Sequence, residues 1–343
     1  MSQRVAWSTH PAALEAATAA LAEQGSAADA LVSGWFALAG ATEGGLLAPL
    51  AALVVGPGVG ARAYDGRAMQ PGAGVPRPRG AREDAPLAAR AAVPRGYEMM
   101  LLLAAEAGRQ TPTAHARRGA AAAEAVSAPA RVRLLEKLGA QGAPVLRSGA
   151  VADALVAAAG FNAGGLLTAE DLDHVPTASA TAAALRGEGK DAAALRIHVE
   201  PWPSGAAAAG DLGPEIVLAA DSNGIVAALA VHVGAARLAD RALLVAEHAI
   251  ALPLVAEPVR RGVPRVTPGT RLAMPRSLAV VDRGAAFRAA IGSVAPEGLD
   301  GAALLGALAG AELPWQALAA LAGSNALRAA SSIDDARSIW SGA

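Results

Sequence analysis

Few residues of this sequence have the spacing that is typical of a catalytic or metal site. Histidine is the first residue type to consider. Metal sites need ligands at short spacing, and no two histidines are three or four residues apart. The chain also has no cysteine, which excludes disulfides, thiolate ligands and a thiol nucleophile. The sequence therefore predicts no metal site and no cofactor, and the six histidines are interpreted as ordinary core or surface residues: His10, His115, His174, His198, His232 and His248.

Hydroxyl and guanidinium groups remain as candidates. Ser204 lies in the turn Pro-Trp-Pro-Ser-Gly over residues 201–205 with no base near it in the sequence, which favours a structural role over a nucleophilic one. Arg67 follows the pair Asp65-Gly66, and its guanidinium could bind a carboxylate through two parallel hydrogen bonds. A solvated surface arginine after a glycine turn is the alternative.

Apolar periodicity predicts the elements that must position these groups. Predicted helices cover residues 11–38 (two helices, broken at Gly25 and Ser26), 96–138 (broken near Pro112 and Pro129), 151–159, 237–250, 302–309 and 315–321. Predicted strands cover residues 50–55, 195–201, 216–221, 225–233 and 277–282, with a hairpin turn at Asp221-Ser-Asn-Gly224. This order of helices, strands and helices indicates an α+β protein.

Two short features add to this pattern. Thr168, followed three residues later by Asp171, predicts a capped helix start. Residues 69–94 are rich in Pro, Gly and Arg without an apolar period, so a long loop is expected there, and it is the best candidate for disorder.

Composition excludes several classes of protein. The chain has 343 residues, 95 of them alanine, and a net charge of −1 without a basic cluster, which argues against nucleic acid or an anionic membrane as partner. The apolar stretch 30–61 is split by residues 42–45 and predicts a buried helix and strand, not a membrane span. Near the start, Arg4, His10 and Glu15 interrupt any apolar signal segment, so a cytoplasmic location is expected.

The order of several motifs resembles the gamma-glutamyltranspeptidase family of N-terminal-nucleophile hydrolases. The segments that carry the resemblance are Val5-Ala-Trp-Ser-Thr-His-Pro11, Glu23-Gln-Gly-Ser-Ala-Ala-Asp29-Ala, Ala41-Thr-Glu-Gly-Gly45, Asp65-Gly-Arg67 with Pro71, Gly164-Gly-Leu-Leu-Thr-Ala-Glu-Asp-Leu172, Pro201-Trp-Pro-Ser-Gly205, Leu218 to Leu229 around the Asp221 turn, and Pro264-Arg-Val-Thr-Pro-Gly-Thr-Arg271. The resemblance spans almost the whole chain.

The resemblance implies a four-layer αββα sandwich and a single domain over residues 1–343. Residues 1–210 resemble the family's large subunit and residues 211–343 its small subunit. About a hundred residues that the family carries before its nucleophile are missing, which implies a deletion in a helical layer.

The family cleaves itself to expose a threonine, which attacks the gamma-glutamyl carbonyl while its freed α-amine acts as base. Counting back from Asp221 places that residue at Pro214, and residues 211–220 contain no Thr, Ser or Cys. Without a hydroxyl the chain cannot cut its own backbone, so we expect no catalytic residue at Pro214 and an uncleaved chain.

Two further differences from the family's motifs also argue against catalysis. The family's glycine pair, which helps to form its oxyanion hole, should follow Ser293, but the chain reads Val294-Ala-Pro296, and proline has no N–H to donate. Leu272-Ala-Met-Pro275 replaces the family's Ser-Ser pair.

The resemblance therefore favours a non-catalytic binding or subunit protein. Arg67 matches the residue that pairs with the substrate carboxylate in the family, so a small amino-acid-like or gamma-glutamyl ligand is expected, as are homo- or hetero-oligomers. The alternative is an amide hydrolase or acyltransferase that uses a different group on the same scaffold.

Overall fold

Short side chains and well-placed caps make the first half of the chain helical. A computed structural model of the chain describes residues 4–75, 86–173, 179–186, 195–205, 213–258, 265–283, 288–295, 298–309, 327–331 and 338–340. Its helices are α1 (Pro11–Ala22), α2 (Ala27–Ala41), α3 (Gly96–Ala107), α4 (Pro112–Ala125), α5 (Pro129–Gln141), α6 (Pro144–Arg147), α7 (Ala150–Ala159), α8 (Ala169–Asp173) and α9 (Gly301–Ala309). The breaks predicted at Ser26, Pro112 and Pro129 are confirmed.

Helices α2 and α4 lie in close contact. A Cβ added at Gly40 of α2 would overlap the carbonyl oxygen of Gly119 in α4, so the two backbones nearly touch. Small residues allow this approach, and larger ones would separate the helices. Ser26 caps α2 in a reciprocal box with Asp29, and Thr168 does the same with Asp171 at α8.

The strands form two six-stranded antiparallel sheets and two short hairpins. They are β1 (Val5–Ser8), β2 (Leu50–Gly56), β3 (Gly60–Gly66), β4 (Ser179–Thr181), β5 (Ala183–Arg186), β6 (Arg196–Val199), β7 (Glu215–Ala220), β8 (Val226–Val231), β9 (Arg237–Leu238), β10 (Arg241–Ala242), β11 (Leu244–Val245), β12 (Ile250–Ala251), β13 (Leu278–Asp282), β14 (Arg288–Ser293), β15 (Leu327–Ser331) and β16 (Ser338–Trp340). The first sheet has the order β1-β7-β8-β2-β3-β4 and the second β16-β15-β14-β13-β6-β5.

The two sheets pack face to face, with helices on the outside. Leu53 and Leu218 of the first sheet meet Val280 of the second in the core between them. The other face of the first sheet packs on α1, α2 and α3, and α4 packs on α2. Leu304 and Leu308 of α9 cover the outer face of the second sheet. The expected αββα sandwich is therefore confirmed. Of the described residues only those of α9 form a helix on that outer face, and the helix predicted at 315–321 lies outside the described ranges.

The hairpin predicted at Asp221 is also confirmed. The Asp221 carboxylate accepts hydrogen bonds from the N–H groups of Asn223 (2.8 Å) and Ile225 (3.2 Å), and Gly224 has φ of +77°. Its second oxygen accepts from the N–H of Ala27, at the start of α2 (3.1 Å). The turn thus joins the first sheet to the helical layer.

The helix predicted over residues 237–250 is wrong. The chain there forms the short strands β9 to β12, and Ala239 and Ala249 both have φ of +53°, a left-handed conformation that no α-helix contains. Alanine is the strongest helix former, so its recurrence at helical spacing gave a helical prediction that tertiary contacts overrode.

The long loop predicted over residues 69–94 is irregular but packed where it is described. Met69 and Val93 exchange two backbone hydrogen bonds (3.0 and 2.9 Å) and are 3% and 1% exposed. Residues 76–85 lie outside the described ranges. In the described parts of the chain, no helix combines the length and apolarity needed to cross a membrane.

Candidate functional site

The position expected for a nucleophile lies at the start of β7, in the middle of the fold. Pro214 is buried and directly precedes this strand. Strand β1 runs antiparallel to β7 alongside it, and the N–H of Thr9 donates to the carbonyl of Ile216 (3.1 Å). Proline carries neither a hydroxyl nor a primary amine, so this position cannot supply an N-terminal nucleophile.

A hydroxyl nevertheless reaches this region from another part of the chain. The Oγ1 atom of Thr9 donates to Oε2 of Glu215 and accepts from the N–H of Ile216 (2.9 Å). Sequence reasoning missed Thr9 because it considered only the window 211–220. The signal was available in part, since Thr9 belongs to the His-Pro motif at the start of the chain.

The residue after β14 lies against the residue before Pro214. A Cβ added at Gly213 would overlap the carbonyl oxygen of Val294, so this carbonyl is in close contact with the chain there. Pro296, which the sequence singled out as a lost donor, lies outside the described residues.

Arg67 is paired within the protein. Its Nε and Nη2 donate to the two carboxylate oxygens of Asp65 (2.9 and 2.8 Å). Arg271 donates from Nη1 to the carbonyl of Asp65 (2.7 Å) and lies 3.2 Å from its carboxylate. Burial lowers the pKa of the Arg271 guanidinium, and the Asp65 charge opposes this shift. One carboxylate therefore serves two guanidinium groups, which leaves a single net positive charge.

Trp202 adds a third contact to this group. Its ring lies 5.3 Å from the guanidinium carbon of Arg67, within the range of a cation–π contact. Trp202 belongs to the predicted turn at residues 201–205, and the Ser204 hydroxyl there accepts from the N–H of Arg276 (3.1 Å), as a structural turn requires. The sequence identified Arg67 but gave no sign of its contacts with Arg271 and Trp202, which are far apart in the chain.

Little space remains beside Arg67. The cavity there holds about 20 Å³, room for roughly one water molecule. Most of its lining is apolar and includes Leu272 and Met274. A ligand as large as an amino acid can reach Arg67 only if these side chains move.

A second polar group has the composition of a catalytic triad. Nδ1 of His115 lies 2.8 Å from the Ser33 hydroxyl, and its Nε2 lies 3.3 Å from Oδ1 of Asp29. All three residues are 0% exposed, and Arg118 also donates to Ser33 (3.1 Å). No substrate can reach a hydroxyl enclosed between α2 and α4, so the group stabilises the helical layer.

The remaining histidines are scattered. His198 lies 3.7 Å from the carboxylate of Asp282, and His174 lies outside the described ranges. Within those ranges, three or more His, Asp or Glu side chains do not come together in a way that could hold a metal ion.

Comparison with known proteins adds to this geometry at the level of the fold. No protein-family model matches the sequence and no curated protein does. A structure of LmbA2991 superposes with a TM-score of 0.66 at 15% identity, covering 94% of this chain and 82% of that one. Cephalosporin acylase from Bacillus halodurans superposes with a TM-score of 0.58 at 13% identity, covering 82% and 75%. Gamma-glutamyltranspeptidase from Pseudomonas nitroreducens matches at 16% identity and a TM-score of 0.48, covering 57% and 70%.

At sequence identities this low, the structural similarity supports a shared fold. The chain has the N-terminal-nucleophile hydrolase fold of cephalosporin acylase, as its resemblance to the gamma-glutamyltranspeptidases implied.

Proposed function

We propose that this chain is a non-catalytic binding or subunit protein built on the N-terminal-nucleophile hydrolase scaffold. The observation that carries the proposal is the buried Pro214 at the start of β7, where a nucleophile would need both a hydroxyl and a free amine. Pro296 supports it, because the resemblance places a donor of the oxyanion hole just after Ser293, and proline has no N–H to donate.

The surroundings of Arg67 support the same proposal. The bidentate contact with Asp65 and the contact with the Trp202 ring already engage its guanidinium, and the neighbouring cavity admits about one water molecule. A small amino-acid-like or gamma-glutamyl ligand would have to displace Asp65. Assembly with a second copy or with another protein would not need this rearrangement. We also propose a cytoplasmic location, which cell fractionation tests.

Turnover of a chromogenic gamma-glutamyl amide tests the proposal. Wild type and Arg67→Ala are expected to release chromophore at the rate of the buffer blank. Turnover by the wild type that Arg67→Ala abolishes, with an unchanged circular dichroism spectrum, would overturn it. A thermal-shift titration with free amino acids, run on the same two proteins, tests whether any ligand uses Arg67.

One observation favours a second candidate, an amide hydrolase with a different nucleophile. Thr9 donates its hydroxyl proton to the carboxylate of Glu215, and this pairing of a hydroxyl with a base is the arrangement that activates a nucleophile. Thr9→Val and Glu215→Gln separate the two candidates. For the second, both variants lose a turnover that wild type shows; for the first, all three proteins are inactive.

A further inference from the structure

A second cavity, larger than the one beside Arg67, lies between the segment around Met69, the start of α8 and the turn at Pro268. Its volume is about 220 Å³, and it shares no lining residue with the cavity beside Arg67. An apolar cavity of about 150 Å³ is already large enough to bind benzene. The second cavity can therefore take a compact ligand of one ring and a short chain.

One wall of this cavity is apolar and preformed. Met69, Val93 and Pro268 line it, and the paired hydrogen bonds between Met69 and Val93 hold two of these side chains in place. The Met69 sulfur accepts from Nε of Arg95 (3.4 Å), so the surface that remains at this wall is hydrocarbon. The wall suits the apolar body of a ligand.

Two charged residues at the cavity are already engaged by the protein. The Arg95 guanidinium is 1% exposed and donates to both carboxylate oxygens of Glu98 (3.2 Å each) and to the carbonyls of Asp171 and Leu172. The Asp171 carboxylate accepts from the N–H groups of Gly72 and Ala73 (2.9 Å each). These contacts stabilise the walls and leave neither charge directed at a ligand.

Glu170 differs from both of them. It is exposed, and its carboxylate accepts no hydrogen bond from any residue in the described ranges. The carboxylate lies over Gly74, where an added Cβ would overlap Oε2, so the absence of a side chain at Gly74 leaves room for it. An ionised carboxylate beside an apolar wall favours a cationic group on the ligand.

We propose that this cavity binds a compact primary amine with an aromatic or aliphatic body, with its ammonium group on Glu170 and its apolar part against Met69 and Val93. The site is separate from the Pro214 and Arg67 region. Its failure would leave the proposed non-catalytic function untouched, and gamma-glutamyl amide turnover would leave this site untouched.

Three probes test the proposal: 2-phenylethylamine, 2-phenylethanol and 3-phenylpropanoate. They share a 2-phenylethyl group and differ in the charge of the terminal group. Dissociation constants come from ligand-observed NMR titrations of the full chain. We expect the amine to bind about fivefold more tightly than the alcohol, with the carboxylate weakest.

Variants distinguish the site from non-specific binding. Glu170→Gln should remove the preference for the amine over the alcohol, and Ala73→Leu, which fills the cavity, should weaken both ligands at least about tenfold. Glu136→Gln, at an exposed glutamate of α5, is the matched control and should change nothing. Tightest binding of the carboxylate, a preference unchanged in Glu170→Gln, or no binding of the amine at about 10 mM would overturn the proposal.

Discussion

Two buried carboxylates, one in the helical layer and one in the second sheet, differ in their hydrogen bonds and in their pKa. Asp29 in α2 is 0% exposed and accepts hydrogen bonds from the N–H groups of Ser26 (2.7 Å), Arg109 (2.9 Å) and Gln110 (3.1 Å). Desolvation alone would raise its pKa, but the contact with His115 and these backbone donors lower the pKa to about 2.

Glu200, just after β6, is equally buried but only half satisfied. Its Oε1 accepts from the N–H groups of Ser277 (3.1 Å) and Leu278 (3.3 Å). Its Oε2 has no hydrogen-bond partner among the described residues, and Nε of Arg276 lies 4.0 Å away. Desolvation therefore dominates and raises the pKa of Glu200 to about 7.

The two carboxylates lie in different layers of the molecule. Asp29 belongs to a motif that resembles the family's, and it connects α2 to the loop before α4 through a complete set of donors. Glu200 directly precedes the turn at residues 201–205. The helical layer thus holds a buried carboxylate with donors on both oxygens, while the second sheet holds one with donors on a single oxygen.

Removal of the Asp29 carboxylate should have the largest effect on the free energy of unfolding. Asp29→Ala leaves the N–H groups of Ser26, Arg109 and Gln110 without this acceptor and the buried His115 without its carboxylate, so we expect the free energy of unfolding to fall by about 3–5 kcal/mol. Urea denaturation measures it. Asp153→Ala, at an exposed aspartate in the first turn of α7, is the control and should cost less than about 1 kcal/mol. Equal losses in the two variants would contradict the contrast between the carboxylates.

The second-largest effect is expected from Glu200, in the pH dependence of the free energy of unfolding. Its pKa in the folded state lies above the ordinary value of 4.5, so its ionised form weakens the fold. The stability that protonated Glu200 supports is complete below about pH 4.5 and is lost as the pH rises through about 7, a change of about 3 kcal/mol. Glu200→Gln, which stays neutral, should lack this loss. Parallel stability curves for the two proteins from pH 4.5 to 8 would show that Glu200 is not the cause.

Asp29 should produce the opposite dependence at acid pH. Because its folded-state pKa is lowered from 3.8 to about 2, its contribution is present above pH 3.8 and disappears as the pH falls through about 2, a loss of about 2 kcal/mol. Asp29→Asn should flatten this acid limb of the unfolding curve. An unchanged acid limb in Asp29→Asn would mean that other groups cause the acid loss.

The smallest effect is expected at Ser204. Ser204→Ala removes one exposed hydrogen bond to the N–H of Arg276, so the free energy of unfolding should fall by less than about 1 kcal/mol. Any amide hydrolysis that wild type shows should persist in the variant. Loss of such activity without loss of stability would give Ser204 a catalytic role that its position in the turn does not indicate.

Local signals were sufficient for much of the fold. The cap at Thr168 and the turn at Asp221 each satisfy backbone groups within a few residues, so their sequence patterns predicted their structures. At Ser26 the sequence predicted the break between two helices but not the cap. The helix prediction for residues 237–250 failed because it relied on the high helix propensity of alanine, which tertiary contacts overrode. The αββα arrangement came from resemblance, because no local pattern says which sheets pack together.

The site depended on contacts that a single sequence does not display. Thr9 reaches Glu215 only because β1 pairs with β7, and Arg271 reaches Asp65 across more than two hundred residues of chain. The absence of Thr, Ser and Cys from residues 211–220 was visible in the sequence, but the approach of the Thr9 hydroxyl to Glu215 was not.

The mass of the purified chain tests the central claim most directly. A scaffold without an N-terminal nucleophile cannot cut itself, so denaturing electrophoresis and intact-mass measurement should show one species of 33.8 kDa after prolonged incubation. Two fragments whose masses sum to 33.8 kDa, with the new N-terminus near Pro214, would contradict it.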